Sequence, residues 1–300
     1  MRITNSMVTS GILAQLQRLE TSQASLQTEV SSGLAVTQPG DDPAAYGRLI
    51  QLQGQNGSLK QFSANATHAI NVATASYSGL NSLQQIYDRA SQLGTLGAGV
   101  NGASSGPAYA SELDQLIQQA VQTANGQLNG SYLYAGTATD QPPFLAATDG
   151  TGKITSVSYV GNAATAPIAL SPTASISPGT SGATNAGIAA FINQMVALRN
   201  ALSSGDSTAI NSATGSLSAS EDTITSAVSE NGAVQARLQA EQTQLQSSAT
   251  EVNTLISADA NADLPSTMVK LNQAQVAYQA ALQTAASVMH LSLLNYVNLQ

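Results

Sequence analysis

No cysteine occurs in the 300-residue chain, which excludes a disulfide framework, a thiol nucleophile and a thiolate metal site. Tryptophan is absent and phenylalanine occurs only three times, so a core must be built from Leu, Ile, Val, Ala and Tyr. Charge is scarce too: 9% of residues are Asp, Glu, Lys or Arg, against roughly a quarter in an average globular chain. Nine Lys and Arg face seventeen Asp and Glu, for a net charge of −8. Such a chain cannot release many counterions from a polyanion, so neither nucleic acid nor an anionic membrane is expected as a partner. No run of about 18 apolar residues is present to span a bilayer. The opening MRITNSMVTSGILAQLQ lacks the apolar core of a secretory signal. If the chain leaves the cell, the expected route is one that cleaves no conventional signal.

Chemistry is equally hard to find. The two histidines, His68 and His290, fall in different helical patterns, and neither has a carboxylate or second histidine at helix-face spacing, as metal ligation requires. The stretch GAGVNG, Gly97 to Gly102, fits G-x-G-x-x-G in form. A dinucleotide site needs a strand before it and a helix opening within it; here a helical pattern precedes and Gly106-Pro107 follows, so the segment reads as a loop joining two helices. The sequons at Asn56, Asn65 and Asn129 carry no weight without a secretory signal. No cofactor and no catalytic group is expected.

What the chain does have is period. Ile12, Leu16, Leu19, Leu26 and Val30, with Gln23 at the polar position, are spaced three and four apart, the seam of a coiled-coil helix. A second pattern runs from Pro43 through Leu49, Leu52, Leu59, Ile70, Tyr77, Leu80 and Tyr87, and at 1.5 Å per residue its 45 residues make a rod of roughly 65 Å. Glycines from Gly94 to Gly106 are expected to end it, and Tyr109, Leu113, Leu116, Ala120, Ala124 and Leu128 mark a shorter third helix. Pro142, Pro143, Pro167, Pro172 and Pro178 exclude a long helix in 141–184, where Thr155, Val157 and Tyr159 alternate as in a strand. Helical spacing returns at Ile188, Phe191, Met195, Leu198 and Leu202 and continues from Ile210 to Ile256. Beyond Leu264-Pro265 lies the longest heptad: Met268, Leu271, Gln275, Tyr278, Leu282, Ala285, Met289, Ser292, Tyr296, Leu299.

The two ends therefore mirror each other around β-like material. The expected fold is mainly α, a long antiparallel helical bundle with its N- and C-terminal coiled-coil helices paired and a small β-rich domain inserted in the middle. Residues 1–40 with 262–300 form a terminal coiled-coil domain, 41–140 with 185–261 a helical bundle, and 141–184 the outer domain. From residue 268 to 300 the chain has Lys270, His290 and no carboxylate, whereas exposed coiled coils carry Glu and Lys at their flanks. An isolated helix of this kind is marginal, so its flanks are expected to meet protein and to order on assembly.

One acidic cluster competes for attention: QPGDDPAAYG, residues 38 to 47. Asp is a favoured helix N-cap, Pro is favoured at the first helical position, and negative charge is favourable at the positive end of the helix dipole. Pro39-Gly40 is read as ending one helix, with Asp41, Asp42 and Pro43 starting the next.

The block SSGLAVTQPGDDPAAYGRLIQL, residues 31 to 52, together with heptad termini around a variable middle, resembles the bacterial flagellins and flagellin-like hook-associated proteins. A second block, LNGSYLYAGTATDQPPF, residues 128 to 144, is similar to the hook–filament junction members of that family. The resemblance implies that Asp41, Asp42 and Pro43 mark the boundary between terminal and bundle domains. It also makes Tyr132, Tyr134, Gly136, Pro142, Pro143 and Phe144 the approach to the outer domain. Gly40 stands where many relatives have Ser, which removes a side-chain cap from that turn. Further implications are a structural, non-catalytic role in the flagellum, export through the flagellar type III channel, and a chaperone at the C-terminal helix. The implied neighbours are identical subunits in a ring, the first hook-associated protein, and flagellin. The terminal heptads, from Ile12 to Val30 and through Met268, Leu271, Tyr278, Leu282, Met289 and Tyr296, become the assembly interface. A flagellin filament subunit is the nearest alternative, and a secreted coiled-coil effector or surface-binding protein is one of another class.

Overall fold

The computed structural model describes residues 5–99 and 102–297, with side chains over 10–99 and 104–288 and at Met7. The helices are α1 (Asn5–Ser32), α2 (Pro43–Ala98), α3 (Gly102–Ala124), α4 (Gly182–Ser204), α5 (Ser207–Ala260) and α6 (Leu264–Val297). Between α3 and α4 lie β1 (Gln127–Leu128), β2 (Ser131–Tyr132), β3 (Phe144–Thr148), β4 (Ile154–Tyr159), β5 (Ile168–Ala169) and β6 (Ser175–Ile176). These pair as three separate antiparallel two-stranded ladders, β1 with β2, β3 with β4 and β5 with β6. The fold is mainly α with a small β region, as the periodicity implied.

The chain divides into two compact units, residues 1–58 with 249–300, and residues 59–248. The division falls inside α2 and α5, not at the Asp42-Pro43 helix start. In the first unit the beginning of α2 belongs with the end of α5: Arg48 binds Asp259 through two hydrogen bonds, Nε to Oδ2 at 3.0 Å and Nη2 to Oδ1 at 2.8 Å, and Asn56 Nδ2 donates to Asn253 Oδ1 at 2.6 Å.

The second unit is a helical bundle around one large core. Leu80, Leu83 and Leu93 of α2, Leu113 and Ile117 of α3, Phe191, Ile192, Met195 and Leu198 of α4, and Leu217 and Ile224 of α5 are all fully buried in it. A smaller cluster joins Ala66, Ala69 and Ala73 of α2 to Leu238 and Leu245 of α5, with Leu170 from the β5–β6 turn and Ile176 from β6. Residues 141–184 lie wholly within this unit. Their apolar side chains, Phe144, Ile154 and Val157, are in the bundle's own core, because ladders of two strands have too little surface to close a core by themselves.

The glycine-rich stretch behaves differently from the sequence reading. Gly94 does not end α2, which continues to Ala98. A Cβ at Gly94 would lie 2.5 Å from Thr214 Oγ1, and one at Gly97 would strike Leu202 Cδ2. These glycines let α2 approach α4 and α5 closely; they are packing positions within a helix. α3 begins at Gly102, earlier than Tyr109, and carries Pro107 inside it.

Candidate functional site

The first unit holds the feature that the termini promised. α1 does not run to Pro39-Gly40: it ends at Ser32, where Gly33 takes a left-handed φ of 71° and donates its N–H to Glu29 O, a common helix stop. From there the chain pairs with the α5–α6 connection. Ala35 N–H donates to Ala260 O at 2.7 Å, Ala262 N–H donates to Gly33 O at 2.9 Å, and Leu34 bridges Asn261. The two breaks in the helical pattern are thus one stitched joint.

Pro39 and Gly40 form the centre of a turn in which Asp41 N–H donates to Gln38 O at 3.1 Å. Asp41 holds that turn: its Oδ2 accepts from Thr37 N–H, Thr37 Oγ1 and Gln38 N–H, each at 3.0 Å. The two backbone donors, Thr37 first, keep its carboxyl below the usual carboxylate range. Asp42 has a separate task. Its Oδ1 accepts from Ala44 N–H at 2.9 Å and Ala45 N–H at 3.0 Å, satisfying the first free donors of α2, and Pro43 is the first residue of that helix. Asp259 is also held below the carboxylate range, chiefly by the hydrogen bonds from Arg48. Among the described residues no group of three or more His, Asp or Glu side chains could hold a metal ion.

Above the joint, α1 and α6 pack along each other. On α1 the half-buried positions are Ile12, Leu16, Leu19, Gln23, Leu26 and Val30, the heptad read from sequence, together with Glu29. On α6 the inward row is Thr267, Leu271, Ala274, Tyr278, Ala281, Ala285 and Val288, and Thr267 Oγ1 hydrogen-bonds Glu29 Oε1 at 2.8 Å. This row shares Leu271, Tyr278 and Ala285 with the sequence reading and replaces Met268, Gln275 and Leu282 by Thr267, Ala274 and Ala281. Both rows are heptads, and hydrophobicity favoured the bulkier one. Packing favours the smaller, because Ala opposite the large side chains of α1 lets the helices close. Met268 and Leu282 are left 55% and 44% exposed, with Val269 at 56% and Val276 at 67%. The side chains of Met289 and Tyr296 lie outside the described residues.

The approach to the β region is built in the second unit. Tyr132 lies in β2, and its N–H donates to Thr139 O at 3.0 Å. Tyr134 is fully buried and donates its hydroxyl to Ser76 O at 2.7 Å; burial raises the pKa of its phenol. Gly136 has φ 69°, and a Cβ there would collide with Asn162 and Ala164. Pro142 is exposed and Pro143 buried, while Pro143 O accepts from Val160 N–H at 2.8 Å. Phe144 packs on Tyr159 with ring centroids 5.4 Å apart. A hollow of about 260 Å³ beside β2 is lined by His68, Val72, Tyr132 and Ile168 among others, with no carboxylate to complement the histidine.

Sequence reasoning missed the groups that dock the β3–β4 hairpin. Asn125 uses both ends of its amide on the backbone of Phe144, accepting at 3.0 Å and donating at 2.9 Å. Asn193 does the same for Val157, at 2.8 Å each way. Each amide satisfies one strand's outer edge as a neighbouring strand would. Arg199 Nη1, buried, bridges Asp114 Oδ1 at 2.7 Å and Ile154 O at 2.8 Å. The sequence alone did not single out Arg199 or Asp114.

Residues 3–139 match the family described as the bacterial flagellin N-terminal helical region. Over 152 residues, 50% of this chain and 48% of the relative, the chain is 26% identical to flagellar hook-associated protein 3 of Salmonella typhimurium. The match therefore spans about half the length of that curated relative. Among solved structures, a flagellar hook-associated protein from Vibrio parahaemolyticus superposes with a TM-score of 0.65 at 16% identity, over 74% of this chain and 100% of that one. FlgL from Bacillus cereus gives 0.60 at 19% identity, over 69% and 99%. At these identities the structures share the fold.

Proposed function

We propose, from the chain's resemblance to the bacterial flagellin family and within it to hook-associated protein 3, that it is a structural component of the flagellum joining the hook to the flagellin filament. In this role it forms a ring of identical copies between the first hook-associated protein and flagellin, and filament attachment and motility depend on it. Its work is mechanical, with no catalytic step. It leaves the cell through the flagellar type III channel without a cleaved signal, and a chaperone covers the C-terminal helix beforehand.

The observation that carries this reading is the outer surface of α6. A helix with exposed Met268, Val269, Val276 and Leu282 and almost no charge is poorly suited to water. It suits a position inside an assembly, surrounded by other helices. The joint supports the same role, since paired breaks stitched by backbone hydrogen bonds hold the end of α1 against the start of α6.

Deletion of the gene is the test. The expected strain makes hooks without filaments, spills flagellin into the medium and does not swim. Intact motility after deletion favours a secreted effector or surface-binding protein. Because the matching family description covers flagellins themselves, the purified chain is also to be incubated under polymerising conditions; long filaments of this chain alone would replace the junction reading with that of a filament subunit.

A further inference from the structure

The hollow beside β2 is walled by four separate pieces of the second unit. α2 contributes His68 and Val72, one turn apart on the same helix face. The β1–β2 hairpin and the residue after it contribute Tyr132 and Leu133, β5 contributes Ile168, and the segment before α4 contributes Gly179. Each piece is tied down by hydrogen bonds of its own. Leu133 N–H donates to Gly126 O at 3.0 Å, Asn65 Nδ2 holds β5 to α2 through Ala169 O at 2.8 Å, and Thr180 Oγ1 donates to Asn185 Oδ1. Such a hollow is formed before anything enters it, so a ligand need not order its walls.

Its chemistry is mixed and uncharged. Among the described residues that line it there is no Asp, Glu, Lys or Arg, so a charged ligand would lose its water and gain no counter-charge. Val72, Leu133 and Ile168 supply apolar wall, and Tyr132 adds an aromatic ring. The polar groups are few and unspent: the His68 imidazole and the hydroxyls of Tyr132 and Ser131 make no hydrogen bond to the described residues. Gly179 keeps the space open. Its φ is not left-handed, and a Cβ there would meet only Leu133 O, at 3.9 Å, so neither backbone nor packing calls for glycine at this position. The space, about 260 Å³, is nearly twice the roughly 150 Å³ of an apolar cavity that takes up one benzene ring, which sets the ligand at about two fused rings.

We propose that this hollow is a binding site for one small uncharged aromatic molecule of about two fused rings, carrying a hydrogen-bonding group that His68 or a lining hydroxyl meets. The ring packs on the apolar wall and on Tyr132, as aromatic pairs do. The polar groups come from α2 and from β2 and form no row along a strand edge, which is what an extended peptide would require. They suit a compact free ligand. The site lies within one unit of one chain and does not depend on the junction reading.

The test uses indole as the probe on the purified full chain. Because the chain has no tryptophan, the fluorescence of added indole is read without an indole background from the protein. The expected result is one-site saturation below about 1 mM, within reach of a ligand of this size, with the methyl resonances of Val72, Leu133 and Ile168 shifting in step. His68→Ala is expected to weaken binding about fivefold, the worth of one hydrogen bond. Gly179→Leu, which fills the hollow, is expected to abolish it, and unchanged thermal midpoints establish that both variants fold. Absence of saturation by indole overturns the proposal. So does equal binding by the natural chain and both variants, which would place the indole elsewhere. N-acetyltryptophanamide is the second probe, its amides standing in for a main chain; binding as tight as that of indole would assign the hollow to a side chain of another protein and overturn the free-ligand assignment. None of these outcomes bears on the deletion phenotype.

Discussion

At the scale of single residues, the clearest constraint is between Gly79 and Tyr134. A Cβ at Gly79 would collide with the Tyr134 hydroxyl, and the next ring atom, Cζ, would lie 3.3 Å away. Replacing a helical Gly by Ala ordinarily stabilises by about 1 kcal/mol, but here Gly79→Ala must push a buried ring and break its bond to Ser76 O. The single variant is expected to lower the urea midpoint. Tyr134→Phe removes the colliding oxygen at a cost of about 1 kcal/mol for the hydrogen bond, and in that background Gly79→Ala is expected to be neutral or stabilising. Additive effects of the two substitutions would refute the steric account. The paired aspartates separate in a similar way. Asp42→Ala is expected to destabilise by about 1 kcal/mol through loss of the α2 cap, while Asp42→Asn retains it. Asp41 acts through charge. Its carboxyl is held below the ordinary 3.8, so its contribution is complete above the unfolded value and lost as pH falls through the folded one. Amide resonances of Thr37 and Gln38 are expected to shift together in that acid window, and Asp41→Asn to abolish the transition.

At the scale of elements, the β3–β4 hairpin is fastened by side chains remote in sequence. Arg199 and Asp114 have side chains only 7% and 15% exposed, so removing one partner strands the other. Arg199→Ala is expected to cost about 3 to 5 kcal/mol, whereas Arg199→Met combined with Asp114→Leu recovers much of that loss; denaturant midpoints of the three proteins decide it. If Arg199→Ala alone costs under about 1 kcal/mol, the pair is not supporting the hairpin. These elements also show where sequence was informative. Heptad spacing located the helices because burying one face imposes period on composition, and Asp42-Pro43 located the start of α2 because capping is local chemistry. The end of α1 was misplaced because Pro39-Gly40 is the louder signal, yet Gly33 supplies the left-handed φ. Alternate members of the inward row of α6 were displaced by one position because the two rows share a period, and only a partner helix selects between them. Asn125, Asn193 and Arg199 were invisible because nothing in a sequence says which backbone a side chain will meet.

At the scale of the whole molecule, stability and assembly are expected to be separable. The second unit owns the large core, with Phe191, Leu198 and Leu217 fully buried, so it sets the main melting transition. The outer face of α6 contributes little to that core, since Leu282 is 44% exposed and Val276 67%. Leu282→Asp adds a charge to an already wet position in the isolated chain, and surface substitutions of this kind shift stability by about 0.5 kcal/mol or less. In an assembly the same carboxylate would lose its water without gaining a cation from its own helix, where Lys270 is the one basic residue between Leu264 and Val288; such burial is strongly unfavourable. Leu282→Asp is therefore expected to leave the calorimetric midpoint of the purified chain nearly unchanged while abolishing its incorporation into flagella in the deletion strain. Leu271→Asp, at a half-buried seam position facing α1, is expected to impair both. Equal damage by the two substitutions to the midpoint would place Leu282 in the chain's own core and remove the argument that the outer face waits for a neighbour.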